Sequence, residues 1–199
     1  MSSRALILNA VKLNKPDLVE YPEEDDCFST YTEDIYQIFY RNAVAMGASV
    51  ERVFSLEDIQ ELICSAFPEG KRMVTNNEYF SPKAELKSFS HALQEHPAGL
   101  ADIETAIIEV DLAVAENGAV WVPETKLYHR VLPFIVQHLI LILKAERIVA
   151  TLKDAYSEIG SQNYGYGVFI SGPSKTADIE QSLVIGAHGP KSLKIFILQ

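Results

Sequence analysis

Cysteine is scarce in this chain. The 199 residues include two, Cys27 and Cys64, far apart and in no CxxC pair. A cysteine-ligated iron–sulfur cluster or zinc site needs three or four ligands, so this chain alone builds neither, and no metal ligands are expected. No disulfide framework is suggested, and a reducing compartment fits. Basic charge is also short. Seventeen Lys and Arg stand against 27 Asp and Glu, for a formal net charge of −10. An acidic surface repels phosphate backbones, so nucleic acid is not an expected partner. Any anionic ligand must then be met by a local group of donors. Long apolar runs are missing as well. The most apolar stretch, 134–143, is broken by Gln137 and His138 and is too short to span a bilayer. The opening MSSRALILNAVKLNKP offers no small-residue cleavage site before Pro16, so it reads as an amphipathic helix and not a signal peptide. A cytoplasmic protein with no membrane contact is expected.

What is present is ordinary globular material. Hydrophobic residues make up 48% and charged residues 22%, enough for a real core at this length. One domain over 1–199 is expected, with a helical segment at 1–48 and an α/β core at 49–199. Ser2 or Ser3 can cap a helix running to about Leu13, with Leu6, Ala10 and Leu13 on one face. A polar linker at 21–26 follows. Thr30 and Glu33 have capping-box spacing for a helix to Met46, with Ile35, Phe39 and Met46 inward and Gly47 as its stop. Residues 49–54 alternate as a strand, Ser55 and Asp58 open a helix to Ala66, and 72–75 reads as a short strand. Residues 76–100 carry little periodicity. Strands are then expected at 105–108, 118–122, 139–143, 168–170 and 194–198. A helical turn or short helix is expected at 109–116, and helices at 146–159 and 178–185. Short apolar strands alternating with helices predict an α/β fold: a mostly parallel sheet with helices on both faces and an N-terminal helical extension. Ligands gather at the carboxyl ends of such strands.

Four constellations could carry chemistry. In SGPSKTADIE (171–180) a strand ends in a Gly172–Pro173 turn. Ser174 and Thr176 offer hydroxyls, Lys175 a positive charge, and the start of the expected helix offers free N–H groups and the dipole to an anion. Asp178 falls near that helix start. The spacing is not that of a Walker loop, and the same residues also read as an ordinary capped strand-to-helix turn. In GAHGP (186–190), Gly186 and Gly189 let the chain pass close to a neighbour, and His188 could donate to a ligand or act as acid or base. The plainer reading is a helix stop and turn. In AENGAVWVP (115–123), Glu116 could be a base or nucleophile, or a solvated residue at a helix end, while Asn117 suits the turn. Arg130 is the fourth, a fork suited to carboxylate or phosphate. His138 opens an apolar strand and reads as structural.

Together these segments resemble the LUD (lactate utilisation) domain family. The resemblance rests on GPSKTADIE at 172–180 with GAHGP at 186–190, on VDLAVAENGAVWV at 110–122, on HRVLPFIVQHLILIL at 129–143, and on Asn14, Lys15 and Pro16 after the first helix. It implies a fold like that of NagB, ribose-5-phosphate isomerase A and the CoA transferases. It also implies a place in a three-part system oxidising L-lactate, or a related 2-hydroxy acid, to pyruvate. The other two parts of that system carry the iron–sulfur clusters, so this chain is similar to the accessory C-type subunit and holds no cofactor itself. On that reading a small carboxylate or phosphate is bound by Arg130, Gly172, Ser174, Lys175, Thr176, Asp178 and Gly189, with Glu116 and His188 as catalytic groups. The chain departs from the family pattern at Asn117 and Ala119, where hydroxyl residues are usual. The resulting sequence of Glu116, Asn117 and Gly118 resembles the nucleophile turn of class I CoA transferases. That leaves a stand-alone transferase or sugar-phosphate isomerase using Glu116, or a non-catalytic anion-binding scaffold, as rival readings.

Overall fold

The computed structural model describes residues 2–17, 19, 33–67, 73–77, 79–80, 97–160, 162, 164–179 and 182–199. Contacts group the chain into two units, Met1–Thr30 and Tyr31–Gln199, so the segment read as helical at 1–48 is shared between them.

In the first unit, α1 spans Ser3–Leu13. Ser2 caps it, its hydroxyl accepting from the Ala5 N–H, and the Asn14 side-chain amide donates to the Ala10 carbonyl at the other end. The polar linker expected at 21–26 lies outside the described residues.

The second unit runs α2 (Ile35–Ala45), β1 (Ser49–Val53), α3 (Leu56–Ala66), β2 (Met73–Thr75), β3 (Thr105–Val110), β4 (Ala113–Val114), β5 (Ala119–Pro123), α4 (Leu132–Ile135), β6 (His138–Lys144), β7 (Ile148–Val149), α5 (Leu152–Ile159), β8 (Gly167–Ile170), β9 (Lys175–Ile179), β10 (Ser182–Ile185) and β11 (Ser192–Leu198). Five strands form a wholly parallel sheet in the order β1-β11-β6-β3-β2. Its centre is β6, whose residues 139–143 are all buried, as a strand covered on both faces requires. On one face Ala106, Ile108, Leu139, Leu141, Ile195 and Ile197 pack with Phe39 and Ala43 of α2. On the other, Ile107, Ile140, Ile142 and Phe196 pack with Ile59 and Ile63 of α3. The expected parallel sheet with helices on both faces is therefore present. A second, mixed sheet in the order β7-β4-β5-β8 adds Val120 and Val122 to the α2 side of the core.

Several local expectations are corrected. The helix after the linker is capped by Asp34, which accepts from the Tyr36 N–H; Thr30 lies outside the described residues. Its buried residues are Ile38, Phe39 and Ala43, whereas Ile35 and Met46 are exposed, so the inward face is rotated from the one expected. Residues 109–116 are not helical. β3 continues to Val110, and β4 pairs with both β5 and β7. The expected 146–159 helix is divided, because Ile148 and Val149 pair with Ala113 and Val114 in a ladder. The helix starts only after Thr151, which forms a capping box with Asp154. The largest change is at 178–185. No helix starts there; β9 and β10 form an antiparallel hairpin instead. The Gly186 N–H closes it by donating to the Ser174 carbonyl at 2.9 Å.

Candidate functional site

The hairpin changes the chemistry of the Gly172 loop. Without a helix start there is no dipole and no row of free N–H groups aimed at an anion. The Ser174 N–H donates to the Pro190 carbonyl at 2.9 Å, which ties the 172–176 segment to the 186–190 segment. The two stretches also touch through Gly189, where an added Cβ would lie 3.0 Å from that of Ser174. Thr176 sits in β9 opposite Val184, and Asp178 lies further along β9.

What positions the loop is the carboxyl end of α2. Gly172 holds φ +82°, and a Cβ there would run into the Met46 carbonyl oxygen, so only glycine fits the turn. Lys175 donates from Nζ to that same carbonyl at 2.6 Å. Its charge meets the negative end of the α2 dipole, so Lys175 acts first as a helix cap.

The turn at 116–118 is built on the same helix. Asn42 of α2 donates to the Ala115 and Glu116 carbonyls at 2.8 and 3.0 Å. Gly118, at φ +64°, passes so close to Ala43 that a Cβ would overlap its backbone. Asn117 accepts from the Ala119 N–H and shapes the turn, as its type suggests. Ser171 then joins the two segments, its hydroxyl donating to the Asn117 carbonyl at 3.0 Å. The Glu116 and Gly172 turns, 56 positions apart in the numbering, thus lie on neighbouring parts of one support. Asn42 and Ser171 are the members that sequence reasoning missed. Asn42 carries no local signal, since its partners are 73 and 74 positions away.

Glu116 is exposed, and its Oε2 accepts from the Leu152 N–H at 2.8 Å, the first residue of α5. A carboxylate belongs there on dipole grounds, so one oxygen is committed to holding α5 on the turn. Arg130 has a partner of its own. Its Nε and Nη2 donate to the two Glu124 oxygens at 2.8 Å each, and Glu124 also accepts from the Tyr166 N–H. The hydrogen bond from Arg130 holds the Glu124 carboxyl below its ordinary range, against a smaller opposing effect of partial desolvation. The same pairing raises Arg130. Arg130 is therefore neutralised locally. His138 begins β6, as expected of a structural residue, with Nδ1 2.7 Å from the Ser192 hydroxyl.

His188 is exposed and lines an open cleft of about 660 Å³. The cleft lies between the 186–189 loop and the segment of α4, where Phe134 and Ile135 form its apolar wall. Gln137 and Lys191 also line it, with Lys191 Nζ donating to Gln137 Oε1 at 3.0 Å. Among the described residues, no group of three or more His, Cys, Asp or Glu could hold a metal ion, and no helix is long and apolar enough to cross a membrane.

Fold and site together define an α/β protein whose parallel sheet carries its polar turns on a helix end and a hairpin loop. Residues 36–198 match the LUD domain model, and the chain belongs to that family. It is 34% identical over 91 residues to lactate utilization protein C of Bacillus pumilus (strain SAFR-032), a match covering 43% of this chain and 38% of that protein. It is 27% identical over 146 residues to the protein of the same name from Anoxybacillus flavithermus (strain DSM 21510 / WK1), covering 68% and 66%. The match thus spans well under half the length of the Bacillus pumilus relative. The fold is similar to the crystal structure of a DUF162 family protein from Deinococcus radiodurans, with a TM-score of 0.65 and 15% identity over 83% of this chain and 96% of that one. At that identity the likeness concerns fold only.

Proposed function

We propose that this chain is an accessory LUD-domain subunit of a cytoplasmic system that oxidises L-lactate, or a related 2-hydroxy acid, to pyruvate. Family membership and the names of its relatives support the reading. The observation that carries the site assignment is the joint anchoring of the Glu116 and Gly172 turns on α2, with the attached 186–190 loop placing His188 at an open cleft. In this reading the carboxylate binds in that cleft beside His188 and Gly189, and Ser174 holds the loop behind them. Lys175 and Glu116 hold the support in place, and Glu116 remains within the chain's stock of proton acceptors. The electrons leave through iron–sulfur partner proteins, because these residues offer two cysteines and a four-cysteine cluster needs more. Omission tests it. Lactate-dependent dye reduction is measured with the partner proteins, with and without this chain. Loss of most of the rate on omission, and its return on addition, is expected; an unchanged rate contradicts the subunit role.

A further inference from the structure

The cleft beside His188 differs from the rest of this acidic molecule. Among its described lining residues there is no carboxylate, although the chain carries 27 acids against 17 bases. Asp102 and Glu104 follow the lining residue Ala101 in sequence, yet neither lines the cleft. The polar groups that do line it are His188, Gln137 and Lys191. An ammonium has three donors, and one of Lys191's is directed at Gln137, leaving two for a ligand. Val131, Phe134 and Ile135 line it as well, and Phe134 is 38% exposed although it is a large apolar side chain. Donors and exposed hydrocarbon in one cleft suit an organic anion with an apolar body. Size narrows the class further. The cleft is open, and its volume of about 660 Å³ leaves room for a ligand larger than a three-carbon acid. Lactate would satisfy the donors and leave the apolar wall wet.

We infer that the cleft binds a carboxylate, of the 2-hydroxy acid type, whose side chain is aromatic or branched and much larger than the methyl of lactate. The carboxylate meets Lys191 and His188, and the side chain covers Phe134 and Ile135. This rests on the anion-binding part of the functional reading and not on the iron–sulfur partners.

The test uses the full chain and calorimetry with four probes: 3-phenyllactate, 4-methyl-2-hydroxypentanoate, L-lactate and 3-phenyl-1-propanol. The two bulky acids should bind at least about tenfold more tightly than lactate or the alcohol, since lactate lacks the extra buried hydrocarbon and the alcohol lacks the charged hydrogen bond. Lys191→Gln should weaken the bulky acids by about tenfold or more while leaving the alcohol unchanged. Ala101→Trp, which fills the cleft from an exposed position, should abolish binding of both acids, and thermal melts of the unliganded variants check that they remain folded. Equal affinity for lactate and phenyllactate overturns the size argument. Equal binding of the alcohol overturns the carboxylate argument, and indifference to both substitutions places the ligand elsewhere. Because no partner protein is present, failure here leaves the omission result of the functional reading intact, and the reverse also holds.

Discussion

The parallel sheet and the 171–190 segment differ in composition and are held together differently. In the sheet, five successive buried residues of β6 find ladders on both sides, from β11 and from β3. Each strand there would be a strand in any register that buried it. The 171–190 segment is tied down by two remote groups, the Met46 and Asn117 carbonyls, and closed on itself by the Ser174 N–H donating to the Pro190 carbonyl. Its local pattern suits a helix as well as a hairpin, and the distant contacts fix where the hairpin's base sits. The difference teaches where function can be placed, since a loop supported from afar can change its surface without disturbing the ladders.

That contrast can be broken first at the core. Leu141→Ala, at a fully buried position in β6, should cost about 2–5 kcal/mol in denaturant melts, with loss of cooperativity across the whole second unit. Gly118→Val should follow closely. It forces a β-branched residue to φ +64° against the backbone of Ala43, which should cost about 2–4 kcal/mol by the same measurement.

The support of the loops should respond next. Asn42→Ala leaves the Ala115 and Glu116 carbonyls without their side-chain donor and should cost about 1–3 kcal/mol. Combined with Ser171→Ala, the losses should not add, because both bonds hold one turn. Additive losses would mean that the two turns are independent.

These ranks follow the legibility of the sequence. The sheet was readable because runs such as 139–143 state their burial by composition alone. The α3 cap was readable because Ser55 and Asp58 sit three apart and complete a capping box. The hairpin of β9 and β10 was not, because the residues from 178 to 185 suit a helix as well as a strand, and the pairing of Thr176 with Val184 shows in neither pattern. Likewise Ile148 fits a helical stripe with Leu152, Ala155 and Ile159 but is claimed, with Val149, by β4. At the site, Glu116, Gly172 and His188 were visible as residue types in turns, but their support by Asn42 was not. Arg130 was visible as a fork, and its occupation by Glu124 was hidden in a loop with no periodicity.

Smaller effects sharpen the same comparison. Lys175→Met removes the cation from the end of α2 and should cost about 0.3–1 kcal/mol, with the cost shrinking at high salt. The pair of Arg130 and Glu124 should matter least, as both are solvated. Because Arg130 depresses the Glu124 carboxyl in the folded chain, the stabilisation is present above the unfolded carboxyl value and lost as pH falls through the folded one. Arg130→Met should flatten that acid-side slope in melts across pH and leave neutral-pH binding of carboxylates unchanged.

The location of the ligand tests the account most directly. In a crystal of the full chain grown with 3-phenyllactate, the carboxylate should lie within hydrogen-bond distance of Lys191 and His188, with the phenyl ring on Phe134 and Ile135. A carboxylate found instead at the backbone amides of 174–177, or on Arg130 with Glu124 displaced, would contradict it.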